Sequence, residues 1–124
     1  MKEIRLKRAY EPPEESDGYR VLVDRLWPRG IKKDDLKIDL WLKEAAPSGL
    51  LRKWFSHDPE RWDEFRSHYF DELHDAPSIR RLLDAPGPVV TLVYAARDEE
   101  YNNAVAFRDY IVRGWPEIVR KEAA

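Results

Sequence analysis

Ile4 and Leu6 alternate with Lys2, Arg5 and Lys7, the period-two pattern of a short strand with one buried face. Residues 10–18 follow with two prolines, three glutamates, a Ser-Asp pair and a glycine, and read as a loop. Tyr19-Arg20-Val21-Leu22-Val23 is rich in β-formers and reads as a central strand covered on both sides, running straight into Asp24-Arg25. Pro28 and Gly30 then break regular structure. Residues 37–42 alternate again through Ile38, Leu40 and Leu42, which predicts a third strand, with an amphipathic helix over 36–46 as the alternative.

Helical patterning takes over downstream. Ser48 is placed to cap a short helix carrying Leu50, Leu51, Trp54 and Phe55. Asp58-Pro59-Glu60 is a helix start: an acceptor cap, a proline at the first position, an acid at the positive end of the dipole. Trp62, Phe65, Tyr69 and Leu73 then fall on one face. A shorter helix is expected to begin near Pro77 and carry Ile79, Leu82 and Leu83, stopped by Pro86-Gly87-Pro88. Val89-Val90-Thr91-Leu92-Val93-Tyr94 is an unbroken run of the buried parallel-sheet type. Asp98 is expected to cap a last helix presenting Tyr101, Ala104, Val105, Arg108 and Ile111, ended by Gly114 and Pro116. Alternating strands and helices predict an α/β fold: one domain over residues 1–124, a three-layer sandwich with a mostly parallel sheet of about four strands and helices packed on it. Its core is expected over residues 2–115, followed by a charged tail.

Composition narrows the chemistry. The 124 residues include no cysteine, which removes disulfides, thiolate nucleophiles and Cys-ligated metals and fits a reducing compartment. No stretch has the apolar length of a membrane span, and the amino terminus has no leader-like apolar run, so the expected location is the cytoplasm, with no membrane partner. The 22 basic and 24 acidic residues leave a net charge of −2, which argues mildly against non-specific nucleic-acid binding. Gly-rich phosphate loops, H-E-x-x-H and G-x-S-x-G are absent.

In open α/β sheets ligands bind beyond the carboxyl ends of strands. Two predicted strands end in polar residues there, at Asp24-Arg25 and at Arg97-Asp98. Arg25, Arg29 and Arg97 are candidates to hold an anion, because a guanidinium offers several donors in one plane and keeps its charge. Trp27 and Trp54 are candidates to stack on a ring, and Asp24, His57 and Asp98 are candidates for proton transfer. Asn102-Asn103, unusual at a helix start, would lock the strand end, contact a ligand or cap locally. In the competing reading Asp24-Arg25 and Arg97-Asp98 pair with each other across the strand ends in a closed ionic network. His68, Asp71 and His74 flank the long helix's apolar stripe without converging, so no metal site is expected. The leading expectation is a site, enzymatic or not, for a small anionic molecule such as a nucleotide or phosphorylated metabolite. The alternatives are a nucleic-acid-associated module built on Arg5–Arg8, Arg29–Lys33, Arg52-Lys53 and Arg80-Arg81, and a structural or interaction protein with a buried polar network.

Four segments carry a resemblance: residues 21–30, VLVDRLWPRG; Trp41-Leu42-Lys43-Glu44 with Ala46-Pro47-Ser48; Leu51-Arg52-Lys53-Trp54-Phe55 with His57-Asp58-Pro59 and Trp62; and Tyr94-Ala95-Ala96 with Asp98 and Asn102-Asn103-Ala104. Together, spanning about residues 2–115, they resemble the short, YeaO-like branch of the family called domain of unknown function 488. The resemblance implies a bacterial or archaeal cytosolic protein with a compact α/β sandwich, and no particular activity. Longer members carry a Cys and a Cys-His-Arg segment where this chain has residues 94–98 and Asn102-Asn103. Thiol chemistry therefore does not carry over.

Overall fold

In the computed structural model, which describes residues 1–74 and 78–122, five strands form one sheet in the order β3-β2-β4-β1-β5, every neighbouring pair parallel. The strands are β1 (Lys2–Arg8), β2 (Tyr19–Leu22), β3 (Leu40–Trp41), β4 (Val89–Tyr94) and β5 (Val119–Lys121). The helices are α1 (Lys33–Leu36), α2 (Gly49–Phe55), α3 (Trp62–His74), α4 (Ser78–Leu83) and α5 (Asn103–Gly114). The expected α/β sandwich is present, with five strands where about four were expected.

Local differences have local causes. The third strand is only Leu40–Trp41, because Lys37 takes the left-handed conformation (φ 51°) that ends α1 and delays extension. The alternative helix over 36–46 is reduced to α1 and a 3-10 turn at Lys43–Ala45. Asp98 does not cap α5. Its carboxylate accepts from the Glu100 and Tyr101 N–H groups in the turn before the helix, and Asn102 takes the cap by accepting from Val105 N–H at 3.0 Å. The expected helix start near Pro77 lies outside the described residues. The tail supplies β5, which pairs with β1 through Lys2 and Val119.

The two faces of the sheet are built differently. Ile4, Val21, Val90 and Leu92 point to one side, where Phe65 and Tyr69 of α3, Phe107 and Ile111 of α5 and Leu51 and Phe55 of α2 form the main core. The other side is thinner: Leu22 and Val93 meet Ala9 and Leu36, with Trp27 and Trp41 at the border. Beside that small cluster, Arg20, Lys7 and Asp17 are buried charges. Asp17 accepts from Arg20 at 2.6 Å, from Lys7 at 3.1 Å and from the Glu14 N–H at 3.0 Å. Arg20 also donates to the Leu36 carbonyl, and Thr91 to that of Asp17. Burial alone would raise the Asp17 carboxyl, but the Glu14, Lys7 and Arg20 hydrogen bonds outweigh it and hold it below the ordinary carboxylate range.

The connections β1–β2 and β2–β3 pass over the Arg20–Leu22 face in one direction along the sheet, and β3–β4 and β4–β5 pass over the α3 face in the other. All four thus share one hand, as parallel crossovers do. β2 and β4 are neighbours whose outgoing connections leave in opposite directions, which opens a crevice at their carboxyl ends.

Two consequences are measurable. Gly18 has φ +65°, and a Cβ there would lie 2.4 Å from the Val89 carbonyl oxygen; Gly18→Ala is expected to cost at least ~2 kcal/mol in urea unfolding. Asp17→Ala leaves the buried Arg20 without its anion and Lys7 with Glu14 alone, and is expected to cost about 3 kcal/mol at neutral pH. Because the folded-state pKa of Asp17 is depressed, its contribution is complete above the unfolded value of about 3.9 and is lost as pH falls through the folded one. The difference between wild type and variant should therefore shrink in acid below about pH 4.

Candidate functional site at the ends of β2 and β4

β2 pairs with β4 until Val23, whose N–H still reaches the Val93 carbonyl at 3.1 Å. The next residue, Asp24, closes the strand end with its side chain. One carboxylate oxygen accepts from Ala95 N–H at 2.9 Å, just past the end of β4. The other accepts from Asn103 Nδ2 at 3.1 Å, and the same amide donates to the Val23 carbonyl at 3.1 Å. Trp41 Nε1 donates to the Asp24 carbonyl at 2.8 Å. Asp24 thereby ties together the ends of β2, β3 and β4 and the start of α5. Desolvation raises its carboxyl above the ordinary value, opposed by the Ala95 and Asn103 hydrogen bonds and the Arg52 charge. It makes no ion pair among the described residues.

Asp24 lines a cavity of about 280 Å³ in the crevice. Arg25, Leu26 and Trp27 form the wall that follows β2, and Ala95, Ala96, Asn102 and Asn103 the wall that follows β4. Ala46 and Pro47 bring a third side, held by Tyr69, whose buried hydroxyl donates to the Ala45 carbonyl. Burial pushes that hydroxyl's pKa well up, so it stays a donor. Phe55 and Phe65, stacked with centroids 4.4 Å apart, are buried lining residues. Arg52 and His57 are exposed residues on the rim, as is Arg25, whose Nη2 leans toward the Pro47 carbonyl at 3.4 Å. Ser56 and His57 both have positive φ (47° and 55°), and this left-handed pair carries His57 out of the end of α2 to the rim. Neither is glycine, so each holds strain of about 1 kcal/mol or more.

The crevice thus gathers Asp24, Arg25, Trp27, His57, Asn102 and Asn103. Trp27 is half-buried, its ring edge-on to Trp41 at 5.4 Å and its Nε1 donating to the Ile31 carbonyl. Asn102 is buried as the α5 cap, and its amide donates to the Asp98 carbonyl. Asp98 lies behind that cap, its carboxyl held low chiefly by the Tyr101 and Glu100 N–H groups. Arg29, Trp54 and Arg97 do not line this cavity. Arg29 and Arg97 are exposed, and the Arg29 carbonyl accepts from Tyr10. Trp54 faces a separate groove between α2 and α3, with the Arg61 guanidinium 5.2 Å from its ring centre. Arg52, Phe55 and Phe65 line the cavity without having been singled out as site residues, because only the docking of α2 and α3 decides which helical residues reach a strand end.

Several side chains of the basic runs have local partners. Arg5 pairs with Glu3, Lys7 is buried against Asp17, Arg8 donates to the Ala95 and Ala96 carbonyls, and Arg81 pairs with Glu44. Among the described residues no group of three or more His, Cys, Asp or Glu is placed to hold a metal, and no helix is long and apolar enough to cross a membrane.

Residues 3–123 match the family model described as the inactive DUF488-N3 subclade. The chain is 47% identical to the uncharacterised protein YeaO of Escherichia coli over 110 residues, covering 87% of this chain and 96% of that one. The chain belongs to the YeaO-like branch of the DUF488 family. A second relative, the uncharacterised protein Rv3073c of Mycobacterium tuberculosis, is 50% identical over 95 residues, covering 76% and 80% of the two chains. No solved structure matches the chain.

For this DUF488 member the Asp24–Asn103 contact gives a direct test. Asn103→Asp places a second carboxylate about 3 Å from the first. The variant should be markedly less stable than wild type at neutral pH and recover part of the loss in mild acid, where the two carboxylates share a proton. Urea unfolding at both pH values reads this out.

Proposed function

We propose that the protein binds a small anionic molecule in the crevice between the ends of β2 and β4, as a recognition module and not as a catalyst. The observation that carries this reading is the cavity itself: an apolar interior built on Phe55 and Phe65, with three cationic or titratable side chains, Arg25, Arg52 and His57, exposed around it. Guanidinium groups suit carboxylate and phosphate, and both arginines are free of carboxylate partners among the described residues. Trp27 offers a flat surface on the β2 side. The volume, about 280 Å³, lies just below the usual range of ligand sites, about 300 to 1,000 Å³, and so favours a single ring or a short chain.

Recognition without turnover has two supports. Among the described residues the cavity lining includes no serine, threonine, cysteine, lysine or tyrosine, which leaves Asp24 and His57 as its candidate nucleophiles. The matching family model is described as an inactive subclade. Proton transfer is a second reading, favoured by the raised carboxyl of Asp24 in the same cavity as His57. The cysteine-free composition supports a reducing, cytoplasmic setting for either.

Isothermal titration calorimetry of the full chain with inorganic phosphate, adenosine monophosphate and benzoate tests the binding reading. At least one is expected to bind saturably, more weakly as salt is added, and Arg25→Ala and Arg52→Ala are each expected to weaken it about tenfold with the fold intact by circular dichroism. No binding by any of the three, or affinities indifferent to both arginines, would overturn it.

A further inference from the structure

Among the described residues Asp24 is the one acidic side chain lining the cavity. Its two oxygens are each engaged once, by Ala95 N–H and by the Asn103 amide, and both donors are neutral. A carboxylate offers about four acceptor sites, so lone pairs remain. No Lys, Arg or His among the described residues forms an ion pair with it. The cavity's arginines are on its exposed rim, and Arg25 is turned toward the Pro47 carbonyl. A partly desolvated carboxylate with no ion-pair partner, opposed only by the more distant Arg52 charge, is costly, and the cost is relieved when a cation reaches it.

A ligand that is only an anion complements part of this cavity. Its charge suits Arg25 and Arg52 but meets the Asp24 carboxylate across a space of about 280 Å³. A ligand that is only an amine satisfies Asp24 and leaves the guanidinium groups to water. A molecule bearing both charges, on a short apolar body lying against Phe55 and Phe65, complements every charged group in the lining.

We infer that the ligand is a small zwitterion of the amino-acid type, its protonated amine paired with Asp24 and its anionic group held by Arg25 and Arg52. This rests on the anion-binding reading above and adds the second charge to it. Asn103 then has a positioning role: its amide fixes one Asp24 oxygen at the cavity wall.

Three matched probes separate the two claims without any variant. Phenylalanine carries both charges, 3-phenylpropanoate only the anion and phenethylamine only the amine, on the same ring and chain. Calorimetric titration of the full wild-type chain is expected to give phenylalanine at least about a tenfold tighter dissociation constant than either analogue. Asp24→Asn, checked for folding by thermal unfolding, is expected to reduce that preference to about threefold or less. If 3-phenylpropanoate binds as tightly as phenylalanine, the amine contact is wrong and anion recognition stands. If phosphate, adenosine monophosphate or benzoate binds and none of these three does, the zwitterion inference falls alone. If no probe of either set binds, both fall.

Discussion

The carboxylate of Asp17 lies beneath the β1–β4–β2 surface, where a lone charge would cost several kcal/mol, and it is tolerated there because Lys7, Arg20 and the Glu14 N–H converge on it. Much of the fold is conditional on that arrangement. β1 and β2 are parallel but not adjacent, and the chain must cross β4 within residues 9–18, less than the dozen or more residues such a crossover usually takes. The short connection presses its backbone onto the sheet, so close at Gly18 that no side chain fits beneath Val89. Polar atoms forced under the sheet are then satisfied in place: Thr91 Oγ1 by the Asp17 carbonyl, and the Arg20 guanidinium by Asp17 and Leu36. A second network, around Asp24, performs the complementary task at the opposite end of the same strand. One holds β2 where it enters the sheet and the other where it leaves, and the crevice lies beyond the second.

Most of this architecture is legible in the residues, and the exceptions have physical reasons. The apolar runs of β2 and β4 and the Trp62–Phe65–Tyr69–Leu73 stripe of α3 bury most of what they display, so pattern and structure agree. β5 is different. Only Val119 of its three residues is buried, and an edge strand with one apolar position produces no alternation to read. β3 is two residues long, and its neighbours Ile38 and Leu42 reach the core from either side of it, which imitates a longer strand.

The site was legible to about the same depth. Asp24 and Asn103 are polar residues at a strand end and a helix start, positions where packing does not ask for them, and they meet directly. Asp98 and Asn102 drew notice for the same reason, but one serves a turn and the other a cap. Arg25, Arg29 and Arg97 look alike in sequence, yet only Arg25 lines the cavity. The second guanidinium there belongs to Arg52 and not to Arg29 or Arg97, and its approach depends on how α2 docks against the β2 end. Charge is visible in a sequence; which charge shares a cavity with which is a tertiary fact.

β1 also carries a consequence for how the protein is made. Ile4 is in register with Val90 on one side and with Lys121 on the other, so both partners of the first strand come from the last third of the chain. A chain made amino-end first holds a strand that has no partner in the sheet until β4 has been made, and no second neighbour until β5 has. Contacts this distant along the chain fold slowly, since the loop must be closed before pairing repays it. Lys2, Arg5 and Lys7, which alternate with Ile4 and Leu6, are the charges that solvate such an unpaired segment before they take up their carbonyl and carboxylate partners in the finished sheet.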